Sequence, residues 1–207
     1  MYTCAQCAKH ACFHNDPDAM PKNCPIREHG FMEETFQEYL LPENHGFFVT
    51  SSEIESLGYG QWPRLRETIE FAKRMGYHKL GLGFCFGLRR EAKVVDSLLR
   101  RHGFEVVSVI CKTGGIDKER VGISPERKLH PGQFEAMCNP IAQARLLNSQ
   151  HTELNISFGL CVGHDSLFNK YSEAMVTTLV VKDRVLAHNP IGAVYCAEGY
   201  FRSKLEP

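Results

Sequence analysis

No run of apolar residues in this 207-residue chain approaches the roughly 20 needed to span a bilayer. The opening Met1-Tyr2-Thr3-Cys4 has neither the basic stretch nor the apolar core of a secretory leader. An excess of one charge is missing too: Lys+Arg and Asp+Glu number 24 each, so no basic field argues for nucleic acid or a membrane surface. Internal repeats and low-complexity tracts are absent, which argues against a solenoid. With 43% hydrophobic residues the chain is too apolar to be disordered. These absences predict a soluble, cytoplasmic protein whose thiols stay reduced. The length allows one core of normal size plus a small appendage.

Cysteine, by contrast, is plentiful. Cys4, Cys7, Cys12 and Cys24 form a C-x2-C-x4-C-x11-C array in the first 24 residues. So short a segment has no core in which to bury four thiols. Deprotonated together they are soft ligands for zinc or an iron–sulfur cluster, and binding would fold the segment. Two disulfides are the alternative, weakened by the odd total of nine cysteines and by the missing leader. His10 and His14 lie within the array and are candidates to replace one cysteine as ligand. Zinc ribbons present two C-x2-C pairs, whereas here only Cys4 and Cys7 make one, which leans toward iron–sulfur.

Residues 1–30 read as an irregular cysteine-rich lobe, with Asp16-Pro17, Met20-Pro21 and Cys24-Pro25 interrupting any helix. Residues 31–207 read as one α/β domain. Helices are expected over 31–45, stopped by Pro42, and over 62–75, ended by Gly76. Strands are expected at Lys79–Cys85, Glu105–Cys111, Glu153–Cys161 and Met175–Val181, alternating with helices from Arg90, Asn139-Pro140 and Asp165 or Ser166. Strand–helix alternation with β-branched, doubly buried strands predicts a mainly parallel open sheet with helices on both faces.

Three further cysteines, Cys85, Cys111 and Cys161, each end a predicted strand and precede a glycine-containing turn. Carboxyl ends of neighbouring parallel strands lie about 4.8 Å apart, and ligands bind there. Cys138 stands just before a helix start, which favours the thiolate. Cys111, Cys138 and Cys161 have polar, turn-rich flanks and form the preferred trio; Cys85, between Phe84 and Phe86, is a weaker fourth. Each alone also reads as a small buried hydrophobe, and Cys196 reads as filler.

Beside Cys161, His164 and Asp165 are candidate proton donors and acceptors; His188, before Asn189-Pro190, is a weaker one. The polar stretch from Gly114 to about Glu135 reads equally as a lid or as a surface excursion. Gly114-Gly115 matches neither the dinucleotide nor the P-loop pattern, and no Ser-His-Asp set or carboxylate pair is evident.

The head array resembles that of the DUF1847 proteins, a bacterial and archaeal family labelled predicted metal-binding. So do Cys111-Lys112-Thr113-Gly114, Cys138-Asn139-Pro140 with Gln143-Ala144, Gly159-Leu160-Cys161-Val162-Gly163-His164-Asp165, and Lys182-Asp183-Arg184-Val185 leading to His188-Asn189-Pro190. The resemblance spans nearly the whole chain and implies metal binding, without a substrate or a reaction.

Two readings follow. In the first, Cys4, Cys7, Cys12 and Cys24 hold one metal centre, and Cys111, Cys138 and Cys161, with Cys85 as a possible fourth ligand, hold a [4Fe–4S] cluster with an open iron. His164 or Asp165 moves protons on a small-molecule substrate that is desulfurised, passes on sulfur or is dehydrated. In the second, the head is a closed zinc knuckle and the protein is a structural or electron-transfer module with a redox partner.

Overall fold

The computed structural model describes residues 1–207, which divide into two compact units, Met1–Leu57 and Gly58–Pro207. The first unit has 3-10 turns at Cys4–Gln6 and Pro25–Arg27 and three helices: α1 (Ala11–His14), α2 (His29–Glu38) and α3 (Pro42–Gly58), the last ending at the division. Its buried residues are Ala11 and Ile54 alone. Pro42 does not stop a helix, as its position after Leu40-Leu41 suggested, but opens α3. Proline tolerates the first helical turn because its missing N–H would be unpaired there anyway.

The second unit runs α4 (Arg64–Arg74), β1 (Lys79–Phe84), α5 (Arg89–Arg101), β2 (Glu105–Ile110), α6 (Pro140–Ser149), β3 (Leu154–Leu160), α7 (His164–Tyr171) and β4 (Val176–Val181), then the short α8 (Ile191–Tyr195) and α9 (Arg202–Leu205). All four strands are parallel, in the order β2-β1-β3-β4. Every residue of β3 is buried, as a central strand covered on both faces requires. One face of β1 carries Gly81 and Gly83 because helices press on it. A Cβ on Gly81 would lie 2.0 Å from Asn155 Oδ1 of β3 and 2.9 Å from Leu147 of α6, and one on Gly83 would lie 2.6 Å from the Phe168 ring of α7. Leu82 and Phe84 alternate to the other face, where Ala92 of α5 sits beside them. The expected α/β architecture, with helices on both faces, is therefore the observed one. No helix is long and apolar enough to cross a membrane.

The chain steps from β1 outward to β2, then returns past β1 to β3 and on to β4. The order in which strands are added thus switches sides between β1 and β3, and in open α/β sheets ligands bind at the carboxyl ends of the strands flanking such a switch.

Candidate functional site

Register decides which residues leave the sheet together. Phe84 pairs with Ile110, so Cys85 and Cys111 emerge side by side from β1 and β2. The Cys111 N–H donates to Phe84 O at 2.9 Å, and the Cys85 N–H donates to Phe158 O at 3.0 Å. Leu160 pairs with Val181, so Cys161 and Lys182 emerge together from β3 and β4. Before that exit β3 bulges, with Gly159 at φ +66°, a conformation glycine adopts without strain. Cys138 is brought in by the start of α6: the Asn139 N–H donates to Cys111 O at 2.7 Å, and its side chain caps the helix by accepting from the Ala142 N–H.

Cys85, Cys111, Cys138 and Cys161 line one narrow cleft with Gln143, Leu160 and His164. Cys85 and Cys111 belong to the apolar core with Ala144, Leu147, Leu160 and Phe168, and Cys138 packs against it. Cys111 sits between Cys138 and Cys85. Its hydrogen bonds to them, with burial, push its own thiol well above the ordinary value. The same bond lowers Cys85 to about 5, helped by the backbone at Gly87 and the Lys182 ammonium against the opposing effect of burial. It lowers Cys138 to about 5 as well, helped by Lys112 and His164. Cys111 is thus pushed in the opposite direction to its neighbours Cys85 and Cys138. The Phe86 N–H donates to Cys111 Sγ at 3.2 Å, and Arg184 Nη2 donates to Cys161 Sγ at 3.1 Å, which raises the guanidinium pKa further.

Lys112, Lys182 and Arg184 are thus the cations at this edge. The turn that carries the last two is locked: the Asp183 carboxylate accepts from the Val185 and Leu186 N–H groups, and His188 Nδ1 accepts from the Asp183 N–H at 3.1 Å. His188 holds this turn and does not line the cleft. His164 does line it, at the first turn of α7, whereas Asp165 binds the neighbouring Ser166 N–H at 2.8 Å and is not among the lining residues. Gln143 is fully buried and donates from Nε2 to Phe84 O and Val109 O, at 3.1 and 2.7 Å. Its Oε1 is buried without a partner.

The 114–135 stretch begins and ends beside this cleft. Lys112 Nζ donates to Ala136 O at 2.5 Å, and the Met137 N–H donates to Ile116 O at 2.7 Å. Between these anchors it is ordered by Lys118 paired with Glu135, and by Lys128, buried and paired with Asp117 at 2.9 Å and Glu119 at 2.5 Å.

In the head, Cys4, Cys7, Cys12 and Cys24 line a second, open cavity of about 310 Å³ together with His10. Asn23 Nδ2 donates to Thr3 Oγ1 at 2.8 Å and so ties the neighbourhood of Cys24 to that of Cys4. Arg27 fastens the loop before Cys24 by donating to Met20 O and Pro21 O. His14 is outside this lining and stacks edge-on against Phe13. Cys196 is exposed and lies in neither group; all nine cysteines are free thiols.

In this geometry no three or more His, Cys, Asp or Glu side chains stand as a metal ion's ligands would. The donor chemistry at the sheet edge nevertheless fits a soft metal or an iron–sulfur cluster. Four sulfurs share one cleft, nearby cations offset thiolate charge, and a buried Gln143 oxygen there lacks a partner. Sequence reasoning reached Cys85, Cys111 and Cys161 through the strand ends and Cys138 through the helix start at Asn139-Pro140. It assigned no role to Lys182, Arg184 or Gln143; the only signal was their presence in the quoted motifs.

The family model described as "Protein of unknown function (DUF1847)" matches residues 24–179. That span takes in Cys24 and the four sheet-edge cysteines and stops short of Lys182. The chain is also 45% identical over 202 residues to an uncharacterised protein of Methanocaldococcus jannaschii, covering 98% of this chain and 97% of the relative. No solved structure matches. On these two matches the chain belongs to the DUF1847 family.

Proposed function

We propose that this is an iron–sulfur protein with two cysteine-ligated centres, acting as an enzyme on a small sulfur-containing or dehydratable substrate at the sheet edge. The observation that carries the reading is the convergence of Cys85, Cys111, Cys138 and Cys161 on one cleft at the switch in strand order, among Lys112, Lys182 and Arg184. A bound [4Fe–4S] cluster would supply Lewis acidity or electron transfer there. The chain's own residues do the rest. The cations offset thiolate charge, Gln143 fixes the ends of β1 and β2, and His164 is the residue placed to hold or move a proton at the cleft. The 114–135 stretch, anchored at Lys112 and Ala136, is the element placed to cover a substrate or to meet a redox partner.

In the head, Cys4, Cys7, Cys12 and Cys24 form the other centre, with zinc as the alternative to iron–sulfur; a zinc-only head would favour a structural or electron-transfer role for the protein. A reducing, cytoplasmic setting keeps all these thiols available. The test is metal and acid-labile sulfide analysis of protein purified without oxygen. About eight irons and eight sulfides per chain are expected for two [4Fe–4S] centres. A single zinc with no sulfide contradicts the iron–sulfur reading.

A further inference from the structure

Cys161 stands apart from the other three thiols of the sheet edge. Cys85 and Cys111 are 8% and 2% exposed and lie inside the apolar core, and Cys138 packs on that core. Cys161 is outside this cluster and more exposed than Cys85 and Cys111. It follows the bulge at Gly159 and precedes a second positive-φ glycine, Gly163 at +82°. Its sulfur is held by Arg184, an exposed side chain reaching in from the turn after β4. The trio is therefore fixed by packing, and the fourth thiol by one charge-assisted hydrogen bond from a mobile type of side chain.

We propose that Cys85, Cys111 and Cys138 retain the cluster on their own, and that Cys161 is a releasable fourth thiol whose corner accepts a small sulfur anion of the hydrosulfide class. This rests on the iron–sulfur reading given above. Three features select the ligand. An all-sulfur donor set favours a soft sulfur atom. Lys182 and Arg184 favour a negative charge. Gln143 lines the cleft and its buried Oε1 has no partner, which favours a ligand that carries one donor hydrogen, as the S–H of hydrosulfide does. The exchange would balance without any electron transfer: Cys161 would give up its place on the cluster to the incoming anion, and its freed sulfur would stay on Arg184. Arg184 is a positioning residue in this scheme, and its Nη2 lies 3.1 Å from the Cys161 sulfur.

The test uses full-length protein purified without oxygen. Cys161→Ser is expected to keep the wild-type iron content, whereas Cys138→Ser, at a partly exposed position that tolerates the change, loses about half of it. Sodium sulfide is expected to shift the visible spectrum of the wild type in a saturable way, and Arg184→Gln to need about tenfold more sulfide for the same shift. The inference is overturned if Cys161→Ser loses as much iron as Cys138→Ser, if Cys138→Ser keeps all its iron, or if sulfide leaves the spectrum unchanged. A wild type free of iron overturns the iron–sulfur reading and this inference together, and so is distinguishable from the other outcomes.

Discussion

Two groups of four cysteines occupy this chain, and they are organised in opposite ways. At the sheet edge the thiols are placed by strand register, by the Asn139 cap and by the core beneath them, before any ligand arrives. In the head the thiols sit on single turns around an open cavity, in a unit whose buried residues are Ala11 and Ile54 alone. A 57-residue unit with so little core cannot offset its chain entropy by burial. The contrast is between a site that the fold creates and a site that would create its own fold. On the proposed reading the head is the part that would depend on metal, and the sheet edge is the part that depends on packing.

The largest expected effect follows directly. Stripping metal with a chelator should unfold the head, because structural metal binding to such segments is worth on the order of 10 kcal/mol. Limited proteolysis should then cut within Met1–Leu57 and spare Gly58–Pro207. Equal protection with and without chelator would erase the distinction between the two regions.

A smaller effect probes the preformed side. Gly159 has φ +66°, and a Cβ there would lie 2.1 Å from Leu88 Cδ1. Gly159→Ala should lower stability by about 3 kcal/mol through backbone strain and overpacking together, read from the denaturant midpoint. No change at this position would mean that the bulge aiming Cys161 is not fixed by packing.

The thiols give a pH signature in metal-free protein. Cys85 and Cys138 are depressed to about 5 against an ordinary value of about 8.5. A depressed acid contributes stability that is full above its unfolded value and is lost as pH falls through the folded one. Cys111 acts oppositely: it keeps its proton above the ordinary value and weakens the fold as pH rises beyond about 8.5. Stability of the sheet unit should therefore climb between pH 5 and about 8.5 and turn down above it. Thiolate absorbance at 240 nm should show a step near pH 5, and Cys111→Ala should move that step toward about 8.5. A Cys111→Ala titration identical to wild type would show that Cys111 does not set its neighbours' protonation.

The smallest effect lies back in the head. Gly46, inside α3, has nothing within 4 Å of an added Cβ and no positive φ. Gly46→Ala should therefore raise stability by up to about 1 kcal/mol, the reverse of Gly159→Ala. A loss of stability at Gly46 would show tighter packing in the head than its exposed surface implies.

Much of this could be read from the chain itself, and the reasons differ by element. LNISFGL announces a doubly covered parallel strand, and every residue of β3 is buried. EVVSVI suggests the same, but β2 is an edge strand, where Glu105 and Ser108 are exposed and only Val106 is buried. Three cysteines at three strand ends then point to one edge by topology alone. Pro42 misled because proline after a helix and proline opening one look alike locally. Cys85 looked weak between two phenylalanines. Yet Phe86 is exposed and lies against Arg89, and it is the Phe86 backbone N–H that reaches the thiols. Lys182 and Arg184 were illegible as partners of the cysteines. Their place depends on β4 lying beside β3 and on a turn closed by Asp183 and His188, which no spacing rule encodes.

The most direct test of the account is the iron content of the full-length chain carrying Cys4→Ser and Cys7→Ser, purified without oxygen. The account predicts that the head loses its metal while about four irons remain, with four labile sulfides, on the sheet edge. A chain without iron would contradict it, because the thiols that the sheet gathers would then not suffice to hold a cluster.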